Sequence, residues 1–200
     1  MGGRSFKARV KRFGEQHLVE RGFVPATAWT FEKTLRGLCH GIGFVKGSRG
    51  REALFTVDVY WRYMTSPRDT PWAMDCHRRI DGFSSGSDEW YPIDDDRSYE
   101  AILSTFVRSA EPFLKAHESI EPIINDFEEG RYSPEILFGP DVGWRHFNIG
   151  FCYLWIGNHE KAVDHLKLVI EQFSNASYDW VQERWKLAVE GLRLKAPIAH

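Results

Sequence analysis

The stretch Asn148-Ile149-Gly150-Phe151-Cys152-Tyr153-Leu154-Trp155-Ile156-Gly157-Asn158-His159-Glu160-Lys161-Ala162 constrains the fold more than any other part of the chain. A Gly-Asn pair between two apolar runs offers left-handed backbone at little cost, so one helix ends there and another begins. Gly150 and Ala162 are small where the two helices face each other, and the spacing predicts a closely packed helical hairpin. One such hairpin cannot bury its apolar faces alone. It therefore needs helices upstream, or a capping helix over Trp180, Trp185, Leu187, Ala188 and Leu192.

Upstream the periodicity changes. Phe6, Val10, Phe13, His17 and Leu18 recur at helical spacing, and Gly22 stops the pattern before Pro25. Period two follows, in Trp29 and Phe31, then Leu38, His40, Ile42 and Phe44, then Phe55, Val57, Val59 and Trp61. Three antiparallel strands are predicted. Gly37 turns the first pair, and the loop Lys46-Gly47-Ser48-Arg49-Gly50-Arg51 joins the last two. A fourth strand is expected at His77, Arg79 and Asp81, and a short extended piece at Trp90-Tyr91-Pro92-Ile93. Asp96 or Ser98 is expected to cap a long helix holding Tyr99, Ile102, Leu103, Phe106 and Phe113. Breaks are signalled by Pro112, Gly130, Pro134 and Gly139-Pro140.

The fold class that follows is α+β: an N-terminal helix, a three- to four-stranded antiparallel meander packed on a long helix, and an all-helical C-terminal part. The expected domains are 1–130 and 131–200.

Two resemblances sharpen this. The hairpin is similar to a tetratricopeptide repeat, whose pattern W-x2-L-G-x2-Y then A-x3-F then P is matched by Ile149, Gly150, Tyr153 and Ala162. It departs at His146, Leu166 and Ser174, and a single copy is visible. Residues Gly22-Phe23, Phe31, Ile42 to Ser48, Phe55 to Val59, Arg79-Ile80 and Asp88-Glu89-Trp90, in that order, resemble a bacterial family known only as a domain of unknown function. That resemblance spans the first 115 or so residues. It implies an α+β fold and no catalytic residues to carry over.

Composition removes several function classes. The net charge of -2 argues against general affinity for nucleic-acid backbones or anionic membranes. Apolar runs are short and broken by charge, and Met1-Gly2-Gly3-Arg4-Ser5 lacks the apolar core of an export signal. Cys39, Cys76 and Cys152 are odd in number and far apart, as suits reduced thiols. The expectation is a cytoplasmic protein with no membrane partner and no cofactor.

Chemistry-bearing groups are few. Asp94-Asp95-Asp96 read as a helix cap rather than a cation site. Cys39-His40 and Cys76-His77 look like zinc half-sites, but neighbours on a strand point to opposite faces and no C-x2-4-C spacing occurs. His117 with Glu118 and Glu121 reads as a solvated helix face. Phosphate-loop, nucleophile-elbow and zinc-protease motifs are absent from the sequence. No catalytic residue and no metal ligand is assigned.

Two functional expectations remain. The leading one is a non-enzymatic protein-interaction module, of the kind an immunity protein uses to neutralise a toxin, with Trp144, His146, Tyr153 and Trp180 facing the partner. The alternative is a small-ligand or nucleic-acid-binding enzyme. It would use Lys46, Arg49, Arg51, Arg78 and Arg79 to hold an anion, with Asp58 or Asp88 for acid-base work.

Overall fold

Ser5 starts the first helix, α1 (Phe6–Phe13), by accepting the Ala8 N–H on its hydroxyl at 3.3 Å. The helix continues through a single π-turn, Gly14–Leu18, and a 3-10 turn, Val19–Arg21. It stops at Gly22, whose φ of 84° opens two terminal bonds: Gly22 N–H to Val19 O at 3.0 Å and Phe23 N–H to Leu18 O at 3.2 Å.

The computed structural model describes residues 5–49, 52–63, 76–83, 90–139, 141–175 and 177–193. The chain divides into two units: Met1–Leu35, Cys39–Trp61 and His77–Glu118 in one, Arg36–Leu38, Arg62–Cys76 and Ser119–His200 in the other.

Apart from Leu38, Arg62–Tyr63 and Cys76, which belong to the second unit, the first unit holds α1 followed by β1 (Val24–Pro25), β2 (Thr30–Thr34), β3 (Leu38–Arg49), β4 (Glu52–Tyr63), β5 (Cys76–Arg79) and β6 (Tyr91–Pro92). The strands form one sheet in the order β1-β2-β3-β4-β5, with β6 also on β4. The antiparallel register sets Phe31 opposite Ile42, and Lys33 opposite His40. The expected loop at Lys46 to Arg51 is a correction: β3 runs on to Arg49 and β4 starts at Glu52. Glycine explains the extension, because a Cβ on Gly47 would stand 2.7 Å from Cη2 of Trp90, whose indole lies against the strand.

Alternation sorts the sheet into two faces. On one, Phe55 is fully buried and its ring meets Phe6 at 5.2 Å, Phe44 at 6.1 Å, Tyr91 at 5.9 Å and Tyr99 at 4.9 Å. On the other, Tyr60 lies over Gly41, where a Cβ would overlap its ring, and its hydroxyl donates to Glu32 Oε1 at 2.7 Å.

The long helix is α2 (Asp96–Thr105), a π-turn at Phe106–Ala110, and α3 (Glu111–Ala116). Its cap is Asp95, which accepts the Arg97 N–H at 3.0 Å, rather than Asp96 or Ser98. Ser98 instead donates to Pro92 O at 3.0 Å. Pro112 does not break the helix as expected. The π-turn bond from Glu111 N–H to Phe106 O comes just before it, and Pro112 then occupies the first turn of α3, where its missing N–H is harmless.

The second unit carries α4 (Ile120–Glu128), α5 (Pro134–Phe138), α6 (Val142–Trp155), α7 (His159–Phe173) and α8 (Asp179–Gly191). The hairpin of α6 and α7 turns at Gly157, φ 78°, with Asn158 N–H bonded to Tyr153 O at 2.8 Å and Gly157 N–H to Leu154 O at 3.1 Å. Asn158 then caps α7 by accepting the Lys161 N–H at 3.2 Å. Gly150 meets Leu166 so closely that a Cβ would stand 2.7 Å from Cδ2, and Ala162 is fully buried. Tyr63, also of this unit, donates to Leu137 O at 2.7 Å and stacks on Phe138. The fold is α+β, and among the described residues no helix is long and apolar enough to cross a membrane.

Candidate functional site

The helical hairpin collects the polar groups of the second unit into one connected chain. Apolar residues surround α6 on most sides, so Trp144 and Tyr153 face inward, at 7% and 2% exposure. Trp144 packs on Phe173, ring centres 5.2 Å apart, and on Phe147 at 6.0 Å. The Tyr153 ring stacks on His165 of α7 at 5.8 Å, and its hydroxyl donates to Glu128 Oε1 of α4 at 3.0 Å. Lys161 closes the arrangement: its ammonium donates to the same Glu128 oxygen at 2.6 Å and sits 5.4 Å from the Tyr153 ring centre. At the other end, His146 Nδ1 and His165 Nδ1 are 2.8 Å apart.

Electrostatics follow from this packing. Burial raises the Tyr153 hydroxyl far above its ordinary range, and the bond to Glu128 adds to it. Lys161 and then Tyr153 hold Glu128 below the usual carboxylate range. Burial lowers His146, helped by Arg145, and lowers His165, helped by His146 and Lys161 against Asp164. Both imidazoles are neutral near pH 7, so one Nδ1–H donates to the other's lone pair. The chain locks α4, α6 and α7 together and contains no activated nucleophile.

Of the four expected partner-facing residues, the structure brings together His146 and Tyr153, through His165. Trp144 is interior, and the Trp180 side chain lies outside the described residues. Sequence reasoning missed His165, Glu128 and Lys161. His165 had a signal, since it precedes Leu166 on the buried side of α7; Glu128, on another helix, had none.

Of the expected anion site, Lys46, Arg78 and Arg79 have described side chains, and Lys46 lies on the opposite face of the sheet from the Trp90 ring that Arg79 faces. Arg79 reaches Asp58 at 2.9 Å and lies 5.8 Å from the Trp90 ring centre, so its charge is already matched. Arg78 is half-buried beside Gly82. Lys46 is exposed on β3, on the face opposite Gly47 and its Trp90 neighbour. Arg51, Asp88 and the Arg49 side chain lie outside the described residues.

The remaining polar clusters are structural. Asp95 caps α2 and binds Arg97, which holds its carboxyl below the ordinary range, while Asp96 pairs with Arg9. Cys39 donates to the His40 carbonyl at 3.5 Å, and Cys76 accepts from Asn148 at 3.6 Å. Among the described residues no group of three or more His, Cys, Asp or Glu side chains is placed to hold a metal ion.

The outward side of α7 carries a different feature. Glu160, Asp164, Leu168 and Glu171 are all exposed and lie one turn apart on a single stripe, with Leu168 at 44% exposure between carboxylates. Comparison of the chain with known protein families, with curated proteins and with solved structures found no match to any of them.

Proposed function

We propose that the chain is a non-catalytic protein-interaction module whose helical unit docks a basic partner protein along the outer stripe of α7. The supporting observation is that stripe: three exposed carboxylates, Glu160, Asp164 and Glu171, around an exposed leucine. Solvated helix faces are usually polar throughout. A large apolar side chain flanked by three carboxylates, with the exposed Lys167 between Asp164 and Glu171, matches a partner that offers Lys or Arg around an apolar contact.

The charge of the region points the same way. Residues 119–200 carry twelve acidic and eight basic side chains, so the helical part is acidic even though the whole chain is near neutral. Trp144 and Tyr153 are buried in the core of the hairpin that carries this stripe. Neutralising a basic toxin is one role such a surface would serve.

The test starts with capture of the intact protein's partner from lysate, followed by titration of the purified pair at two salt concentrations. Binding that weakens with salt, and falls at least tenfold in a Glu160→Lys/Asp164→Lys/Glu171→Lys variant with unchanged helicity, supports the reading. A partner that is acidic, or one indifferent to the triple substitution, overturns it.

A further inference from the structure

His40 is 1% exposed and stands opposite Lys33 on the helix-facing side of the sheet. Its Nε2 lies 3.0 Å from the carbonyl of His117, just past the end of α3. A carbonyl only accepts, so Nε2 carries the proton and Nδ1 presents a lone pair. That lone pair has no hydrogen-bond partner among the described residues. Burial pushes the imidazole down to about 4, outweighing the His117 bond, and Lys33 adds to the depression against Glu118. The ring is a neutral acceptor throughout the physiological range.

His40 lines a recess of about 230 Å³ in the α+β unit. Phe23, Phe106 and Leu114 give it an apolar wall. The charges at its rim are matched to one another: Lys33 to Glu118 at 2.5 Å, and Glu111 to both Lys115 at 2.9 Å and Arg21 at 3.3 Å. An ionic ligand would have to break one of these pairs, whereas an uncharged one leaves them intact. The volume is below that of ordinary drug-sized sites, roughly 300–1,000 Å³, and suits a compound of one or two rings.

We infer that this recess binds a small uncharged molecule with an apolar body and one N–H or O–H donor, the donor bonding to Nδ1 of His40. The apolar wall desolvates the body, and the donor meets the His40 Nδ1 lone pair, which accepts no hydrogen bond from the described residues. The site is independent of the α7 stripe.

Phenol and indole are the probes, with toluene as the analogue lacking a donor, titrated into the full chain labelled with ¹⁵N-histidine. The expected result is a saturable shift of the His40 Nδ1 resonance with phenol or indole, at least tenfold weaker with toluene. Binding should vanish in a His40→Phe variant. Leu114→Trp, which fills the recess and leaves His40 in place, serves if that variant fails to fold, and should also abolish the phenol shift. Equal affinity for phenol and toluene, no saturable shift, or phenol binding that survives Leu114→Trp would overturn the inference.

Discussion

Nδ1 of His146 and Nδ1 of His165 lie 2.8 Å apart between α6 and α7, a distance that only a shared proton makes favourable. Protonating both rings would set two cations against each other, beside Arg145 and Lys161, with Asp164 as the opposing charge. Both are held below the ordinary value of 6.5 in the folded chain. The unfolded chain therefore binds more protons once the pH falls below about 6.5. Stability of the helical unit is full above that pH and declines below it. In thermal melts at pH 7.5 and 5.5, a His146→Gln/His165→Gln variant should lose less Tm on acidification than the parent; equal losses would clear the pair of responsibility.

His40 gives the α+β unit its own acid sensitivity. Its folded value of about 4 lies below the unfolded 6.5, so its contribution is intact above 6.5 and lost as the pH falls toward 4. The full span is worth about 3 kcal/mol. Urea unfolding between pH 7 and 4 should show this slope in the parent and a shallower one in His40→Gln.

Gly150 and Leu166 test the close approach of α6 and α7. A Cβ at Gly150 would meet Leu166 Cδ2 and Cγ at 2.7 Å, so Gly150→Ala overpacks the contact and should cost about 1–3 kcal/mol. Combining it with Leu166→Val should recover part of the loss. A double-mutant cycle with zero coupling would contradict the packing.

Phe55 joins α1, β3, β6 and α2 through four ring contacts. Phe55→Ala should destabilise by about 3–5 kcal/mol, and Phe55→Leu by much less. A lower urea midpoint at unchanged m-value would confirm lost packing rather than a change in the denatured chain.

Glycine and alternation made most of the fold legible. Gly22, Gly130 and Gly157 each end a helical segment at positive φ, which the apolar periodicity on their N-terminal sides announces. The strand cores at Phe31, Ile42 and Val57 show in the sequence because apolar residues alternate with small or polar ones such as Gly41, Gly43, Thr56 and Asp58, although β3 and β4 are buried on both faces over much of their length. The β3–β4 connection was misread because Gly47 and Gly50 look like loop residues, while Gly47 is required by the Trp90 indole against it. Trp90 is more than forty residues away, a contact no local window contains.

The site was less legible for a related reason. α6 buries Trp144, Phe147, Ile149, Phe151, Tyr153 and Leu154, which leaves no amphipathic contrast to separate a core aromatic from a docking one. The stripe on α7 was visible in principle, since Glu160, Asp164, Leu168 and Glu171 follow helical spacing, but the exposure of Leu168 is a fact of packing. The recess at His40 depends on the Lys33–His40 register and on where α3 ends, both settled only in three dimensions.

Both long helical segments of the α+β unit contain one π-turn, at Gly14–Leu18 and at Phe106–Ala110. Such a turn amounts to one residue inserted into an α-helix, and it advances everything downstream by about 100° around the axis. A one-residue deletion there would leave the composition almost untouched, yet the angular phase of Phe113, Leu114 and His117 would rotate out of step with the sheet. Homologous chains are therefore expected to tolerate substitutions at 106–110 far better than changes of length, and an alignment gap at that point would mark a chain whose α3 presents a different side.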